Sequence, residues 1–348
     1  MIQTAFLGDT ALALYLPQKI KNIFAKNGKT CKIIFVTLPA WGELVKNAKC
    51  IDEVVFYDKK GKHKSIFSAF EIAKTINSHK PDCIISPHKS FRTSLLVSLL
   101  RANTKIGFDK ASLKFVYNHL VKYDKSIHEI NRDFSLLTAF DDDFIAYEIK
   151  SINEVDFDLA DNLLKIKRPY ICIAPGSVWA TKKWRTDYYA ELINLIIKNK
   201  KNNYNFVITG GKNDIETSNE LMNFLKDKLN EEIFSNRIIN LTGKTNLIET
   251  QSILKGANLV ITNDSAPTHL AELVNTNVLT IYGPTSPKFG FAPRLENSSF
   301  IELEGLSCKP CHIHGKNICP INTHECMNNL LPQKVFDKVE KMLIVIKN

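Results

Sequence analysis

The sequence contains no run of about 18 uncharged apolar residues, so no segment of it is expected to cross a membrane. Its opening, MIQTAFLGDTALALYL, lacks a basic leader and carries Asp9 in its middle. A secretory signal is therefore not expected, and a cytoplasmic setting is. No Lys/Arg run is interleaved with aromatic residues, which argues against nucleic acid as a partner. Short-period repeats and low-complexity tracts are also missing. Thr242-Gly243-Lys244-Thr245 lacks the Gly-x4-Gly-Lys-Ser/Thr spacing of a phosphate-binding P-loop, so a kinase or NTPase of that type is excluded.

What remains is ordinary globular chemistry, 44% hydrophobic and 24% charged, in 348 residues. That length exceeds what one compact core usually accommodates, so two domains are expected. The formal net charge of +10 fits an anionic membrane surface or a phosphorylated substrate, or simply a lysine-rich composition.

Short β-rich apolar runs alternate with amphipathic stretches, the rhythm of βαβ units and parallel sheets. In the first half strands are expected near Ile2–Phe6, Lys32–Val36, Glu53–Tyr57, Asp82–Ser86 and Lys105–Phe108, with helices near Ala11–Ala25, Lys64–Ser78 and Ser90–Leu100. A second alternation has strands at Tyr170–Ala174, Asn205–Thr209, Arg237–Leu241, Asn258–Thr262 and Val278–Tyr282. Its helices are expected at Thr186–Lys198, Asp214–Leu229, Leu247–Leu254 and Pro267–Val274. The expected division is an N-terminal domain over 1–155, a C-terminal domain over 165–330, and a last helix over 332–348 that packs back on the first domain.

In open α/β sheets, ligands bind beyond the carboxyl ends of the strands, so the residues just after each strand are the candidates. Asp9 follows the first strand and opens a helix, either as an N-terminal cap or as a carboxylate able to take a proton from a hydroxyl. After Ile171–Ala174 come Gly176, Ser177, Thr181, Lys182 and Lys183, a set suited to a diphosphate, with a polar capping loop as the plain alternative. Gly176 would let the backbone approach a ligand. Asp214 and Glu216 either cap the next helix or bind a ribose hydroxyl. Thr242 and Gly243 stand on the same rim.

The densest element is Thr262-Asn263-Asp264-Ser265-Ala266-Pro267-Thr268-His269-Leu270, which opens a helix. Pro267 suits a first turn, and the N–H groups of Ser265, Ala266 and Thr268 can receive an anion. His269 would point back towards the mouth of that helix. Gly283-Pro284-Thr285 is a further polar loop on this side.

Six blocks in register resemble glycosyltransferase family nine, the lipopolysaccharide heptosyltransferases. They are Leu7-Gly8-Asp9, Pro87 to Leu96, Ile106-Gly107-Phe108, Ala174 to Trp184, Asn263 to Leu270 and Tyr282 to Thr285. The resemblance implies a GT-B fold, two Rossmann-like doubly wound domains facing a cleft, with the acceptor held by the first and the donor by the second. It implies an ADP-heptose donor, a lipid-anchored lipopolysaccharide inner-core acceptor, and inversion without a covalent intermediate, a cofactor or a catalytic metal. Carried over, Asp9 is the base, and Lys182 with Ser177 and Asp264 to His269 touches diphosphate and heptose. Asp214 or Glu216 falls near the ribose acid, and Lys89, Arg92 and Arg132 near the residues that hold the anionic acceptor. The family usually has glycine where Ala266 stands, so an added methyl meets the donor there.

Cys31, Cys50, Cys83 and Cys172 are isolated in apolar segments and read as small core residues. Cys308-x2-Cys311-x7-Cys319-x6-Cys326 is different. Its first pair has zinc-ligand spacing, but the rest completes no standard knuckle. A structural zinc, reduced cysteines and disulfides stay open as alternatives.

Overall fold

The computed structural model describes residues 1–140, 152–153, 157–164, 168–199 and 203–347. The chain divides into two compact units, Met1–Glu154 and Val155–Asn348. Of the stretch between the two expected domains, residues 157–164 are described, and the helix Phe157–Leu163 in it belongs to the second unit.

In the first unit, β1 (Ile34–Thr37) pairs in parallel with β2 (Glu53–Phe56), and β3 (Cys83–Ser86), β4 (Thr104–Phe108) and β5 (His119–Val121) form a second parallel set. Ile2 joins the two: it bridges Val36 in parallel, and its N–H donates to Ile85 O at 3.0 Å. The strand expected over Ile2–Phe6 is thus a single bridged residue, because the chain turns into the helix Leu7–Ala13 almost at once. With Ile2 counted as the first strand, the spatial order is third, second, first, fourth, fifth, sixth. Ile72, Ala73, Ile76, Leu96 and Val97, on the helices Ser68–Ser78 and Phe91–Ser98, close the core over this sheet.

The second unit repeats that order. Six strands, β6 (Tyr170–Ala174), β7 (Asn205–Ile208), β8 (Ile238–Asn240), β9 (Leu259–Asn263), β10 (Val278–Tyr282) and β11 (Ser299–Glu302), line up as β11-β10-β9-β6-β7-β8, all parallel. β6, β9 and β10 are buried along their whole length, which is why they read as largely apolar runs. The helices Thr186–Lys198 and Ile215–Lys228 pack on each other, and the last helix, Pro332–Lys347, packs on Thr186–Lys198 within this same unit. No described helix is long and apolar enough to cross a membrane.

In both units the strand order reverses between the first and fourth strands. A crevice opens at such a switch point, and ligands settle there. The topology therefore selects, from many polar loops, the residues after Ile2 and β3 in one unit and after β6 and β9 in the other.

Trp184 anchors the end of the loop after β6. It is 1% exposed, meets Tyr189 edge-on at 4.9 Å and donates its indole N–H to Leu330 O at 2.9 Å. Trp184→Ala is expected to cost about 3–5 kcal/mol from the cavity and the orphaned carbonyl. Urea unfolding of the full chain measures it, and a loss below about 1 kcal/mol would contradict this packing.

Candidate active site

At the switch point of the second unit, two loops are stapled together by Asn263. Its Oδ1 accepts from Trp184 N–H and from Tyr189 O–H, each at 3.0 Å, and its Nδ2 donates to Pro175 O at 2.7 Å. This places Lys182 against Asp264: Lys182 Nζ lies 2.6 Å from Asp264 Oδ2, with each side chain 12% exposed. Thr285, from the loop after β10, donates its hydroxyl to the same oxygen at 2.6 Å. Three strand ends thus converge on one charged pair.

Next to this pair begins the helix Ala266–Leu273. Ser265 is its N-cap and makes no side-chain cap. Thr268 N–H, expected to be open to an anion, is used by Ser265 O at 3.1 Å. Among the described residues no protein acceptor takes the N–H of Ser265 or Ala266. Those two amides, at the positive end of the helix, remain for an anion. His269 is buried one turn further on.

The glycine at 176 has a different reason from the one its sequence suggests. A Cβ there would fall 2.1 Å from Asp214 Oδ1. The space is taken by the Asp214 carboxylate, not left for a ligand. Asp214 also accepts Gly211 N–H at 2.9 Å, so capping accounts for it. Glu216 is exposed in the first turn of Ile215–Lys228. Ser177 accepts Trp179 N–H at 3.3 Å and is half-buried. Thr242 is buried, and Gly243 takes φ +72° beside Ile215, where a side chain would be strained.

At the switch point of the first unit, Asp9 lies half-buried in the first turn of Leu7–Ala13. The N-cap position falls on Phe6, so Asp9 is not the cap. Lys89 Nζ sits 3.5 Å from the centre of the Tyr123 ring. Burial lowers its basicity, while Glu129, Asp133 and Asp9 pull it back up. Arg132 is 2% exposed and bonds inward, to Tyr123 O–H at 2.9 Å and to Glu129. Arg92 is spent in a similar way, donating to Lys59 O at 3.0 Å and to the carbonyls of His63 and Ser65. Of the three cations expected to meet an acceptor, two therefore have structural partners already.

Thr4, His88 and Lys59, which the sequence reading did not single out as site residues, form a hydrogen-bonded group next to Arg92. Lys59 Nζ donates to Thr4 Oγ1 at 2.7 Å, and His88 Nδ1 lies 2.7 Å from Thr93 Oγ1. Burial, then Arg92, pushes Lys59 down to about 8. Burial, then Lys59 and Lys89, pushes His88 from 6.5 to about 3. Above pH 6.5 His88 is neutral folded or unfolded and costs nothing. As pH falls from about 6.5 to about 3, the unfolded chain takes a proton that the folded chain refuses, so stability drops through that window. NMR of the His88 ring should show no titration from about pH 8 down to about pH 4, and a midpoint near the ordinary histidine value would contradict the burial.

The four clustered cysteines are free thiols, and together with His324 they line one small cavity. Among the described residues no three His, Cys, Asp or Glu side chains are gathered so as to hold a metal ion. Their segment acts as a strap on the loops after β6 and β10. Thr181 N–H and O–H donate to Lys316 O at 3.0 and 2.7 Å, and Lys316 N–H returns a bond to Thr181 Oγ1 at 2.9 Å. His324 Nε2 lies 2.8 Å from Thr181 O, and Cys311 N–H donates to Pro284 O at 3.0 Å. The strap therefore holds the residues adjoining Lys182 and Thr285, the two partners of Asp264. No local pattern announces such contacts between residues so far apart in sequence.

The two parallel α/β units, each of Rossmann strand order, have the architecture of the GT-B fold. Comparison with known proteins is specific: a family model described as glycosyltransferase family 9 (heptosyltransferase) matches residues 69–320, and the chain belongs to that family. It is 26% identical over 340 residues to lipooligosaccharide heptosyltransferase 2 of Campylobacter jejuni, covering 97% of this chain and 96% of that one. Its fold matches a family 9 glycosyl transferase of Veillonella parvula, with a TM-score of 0.82, 21% identity and coverage of 99% and 96%. It also matches ADP-heptose LPS heptosyltransferase II of Escherichia coli, with a TM-score of 0.79, 19% identity and coverage of 100% and 98%.

Proposed function

We propose that this enzyme transfers heptose from ADP-heptose to the inner core of lipopolysaccharide, with inversion at the sugar carbon. The observation that carries the reading is the donor-side pocket of Lys182, Asp264, Thr285 and the open amides of Ser265 and Ala266. A departing nucleoside diphosphate gains negative charge in the transition state, and a preorganised ammonium with helix-terminal amides stabilises that charge. Asp9 is the group that removes the proton from the acceptor hydroxyl. Inversion follows from a single displacement, since the base activates an alcohol and no protein nucleophile is assigned a covalent role.

The test is product formation from ADP-heptose, read by mass spectrometry, against UDP- and GDP-sugars with an inner-core acceptor. Transfer from ADP-heptose supports the reading, and preference for another nucleotide sugar overturns the donor. A different donor is the second reading, motivated by the methyl of Ala266, which stands at the first position of the helix where the open amides lie. Binding of ADP-heptose without transfer would instead indicate a nucleotide-sugar binding protein. The net charge of +10 supports peripheral contact with an anionic membrane, where a lipid-anchored acceptor resides. Vesicle flotation that shows no preference for anionic lipid would count against that contact.

A further inference from the structure

His269 and Glu272 leave two buried atoms unsatisfied on adjacent turns of one helix. His269 Nδ1 and Glu272 Oε2 are both sealed from solvent without a hydrogen-bond partner, and they lie 3.6 Å apart. The side chains are 6% and 2% exposed. Glu272 is held in place from its other oxygen, Oε1, which accepts the backbone N–H of Arg294. Phe291 lies beside the imidazole, with ring centres 6.3 Å apart. Buried polar groups are costly when unpaired, and here each orphan is what the other lacks. A small approach lets Nδ1–H donate a hydrogen bond to Oε2 and satisfies both. The other ring nitrogen, Nε2, is not among the sealed, unpartnered atoms, and makes no hydrogen bond among the described residues.

We propose that Glu272 is the positioning residue for His269: it fixes the tautomer with the proton on Nδ1, so that Nε2 meets the ligand as a hydrogen-bond acceptor. The chemical group it takes is then a hydroxyl, as on the transferred sugar, rather than a phosphate oxygen, which has no proton to give. This deepens the proposed function and rests on it for the identity of the ligand, while the tautomer itself does not depend on that reading. The carboxylate works as a carboxylate does behind a metal-bound histidine, setting which nitrogen carries the proton by the bond it accepts.

The experiment is 15N NMR of the full chain labelled at histidine, with the His269 signals assigned by their loss in His269→Gln. In the wild type, Nδ1 should give the protonated shift and Nε2 the unprotonated one. Glu272→Gln keeps the volume and retains an oxygen for Arg294 N–H, so its NH2 group faces Nδ1 and the tautomer should invert. The same variant should raise KM for ADP-heptose about tenfold, with a smaller change in kcat, the loss of one hydrogen bond to bound sugar. A wild-type ring protonated on Nε2 overturns the proposal, and so does an unchanged spectrum in Glu272→Gln. If that variant does not fold, the wild-type spectrum alone still decides. The correct tautomer in a protein that transfers nothing from ADP-heptose would sink the functional reading and leave the role of Glu272 standing.

Discussion

Lys182→Met should lower kcat/KM for transfer by on the order of 10²–10³-fold, the scale for losing a preorganised group that meets developing charge. The prediction has a complication that the structure itself supplies. Lys182 is paired with Asp264 at 2.6 Å in a site where each side chain is 12% exposed. Removing the lysine leaves a largely buried carboxylate with Thr285 as its one side-chain donor among the described residues, so the single variant is also expected to lose up to about 3 kcal/mol of stability. Activity lost through unfolding would then look like activity lost through chemistry. The double variant Lys182→Met with Asp264→Asn separates the two. It removes the stranded charge and keeps an oxygen for the Thr285 hydroxyl, so stability should return towards the wild type while transfer stays low. Thermal unfolding and steady-state kinetics on the same three proteins measure this. Transfer within about threefold of wild type in folded Lys182→Met would remove the ammonium from the mechanism.

Asp9→Asn should cost about 10²-fold or more in kcat and leave ADP-heptose binding unchanged. The substitution is close to isosteric in the first turn of Leu7–Ala13, where a carboxylate is favoured by the helix dipole only modestly, so the fold should tolerate it. The contrast with Lys182 is the informative part. Asp9 belongs to the first compact unit and Lys182 to the second, and the roles proposed for them fall on different substrates. Calorimetry of ADP-heptose binding should therefore report a change for Lys182→Met and none for Asp9→Asn. Near-normal turnover in Asp9→Asn would require another base. Asp133 is an alternative by chemistry, but it is 2% exposed and so sealed from an incoming acceptor, and its burial, then Glu129, raises its carboxyl well above the ordinary range.

Much of the fold was legible because its signal is local. Tyr170–Ala174 is an uninterrupted apolar run and Val278–Tyr282 one broken only by Thr280, both buried on both faces, and the helix Thr186–Lys198 carries a regular apolar stripe. The missed elements lack such a signal. His119–Val121 is short and mostly exposed, Ser299–Glu302 is a short edge strand, and Glu129–Ser135 buries Glu129, Arg132 and Asp133 alongside Ile130 and Phe134. A seven-residue helix with only Ile130 and Phe134 as apolar contacts, and charges buried beside them, shows little helical period in its own composition.

Residue types and strand rhythm by themselves determined that the chain is a pair of parallel α/β units with polar, cation-bearing loops after the strands, and the blocks around Asp9, Lys182 and His269 determined its family resemblance. Only tertiary structure decided which of those loops meet. The strand order put the ends of β6 and β9 side by side and so brought Lys182 to Asp264, while it turned Arg92 and Arg132 inward and spent Asp214 on a cap. The same closure placed the cysteine segment on Thr181 and Pro284. Hydrophobic period is a property of a few neighbouring residues, whereas an ion pair or a strap between distant strands exists only once the chain between them has been closed into a sheet of definite order.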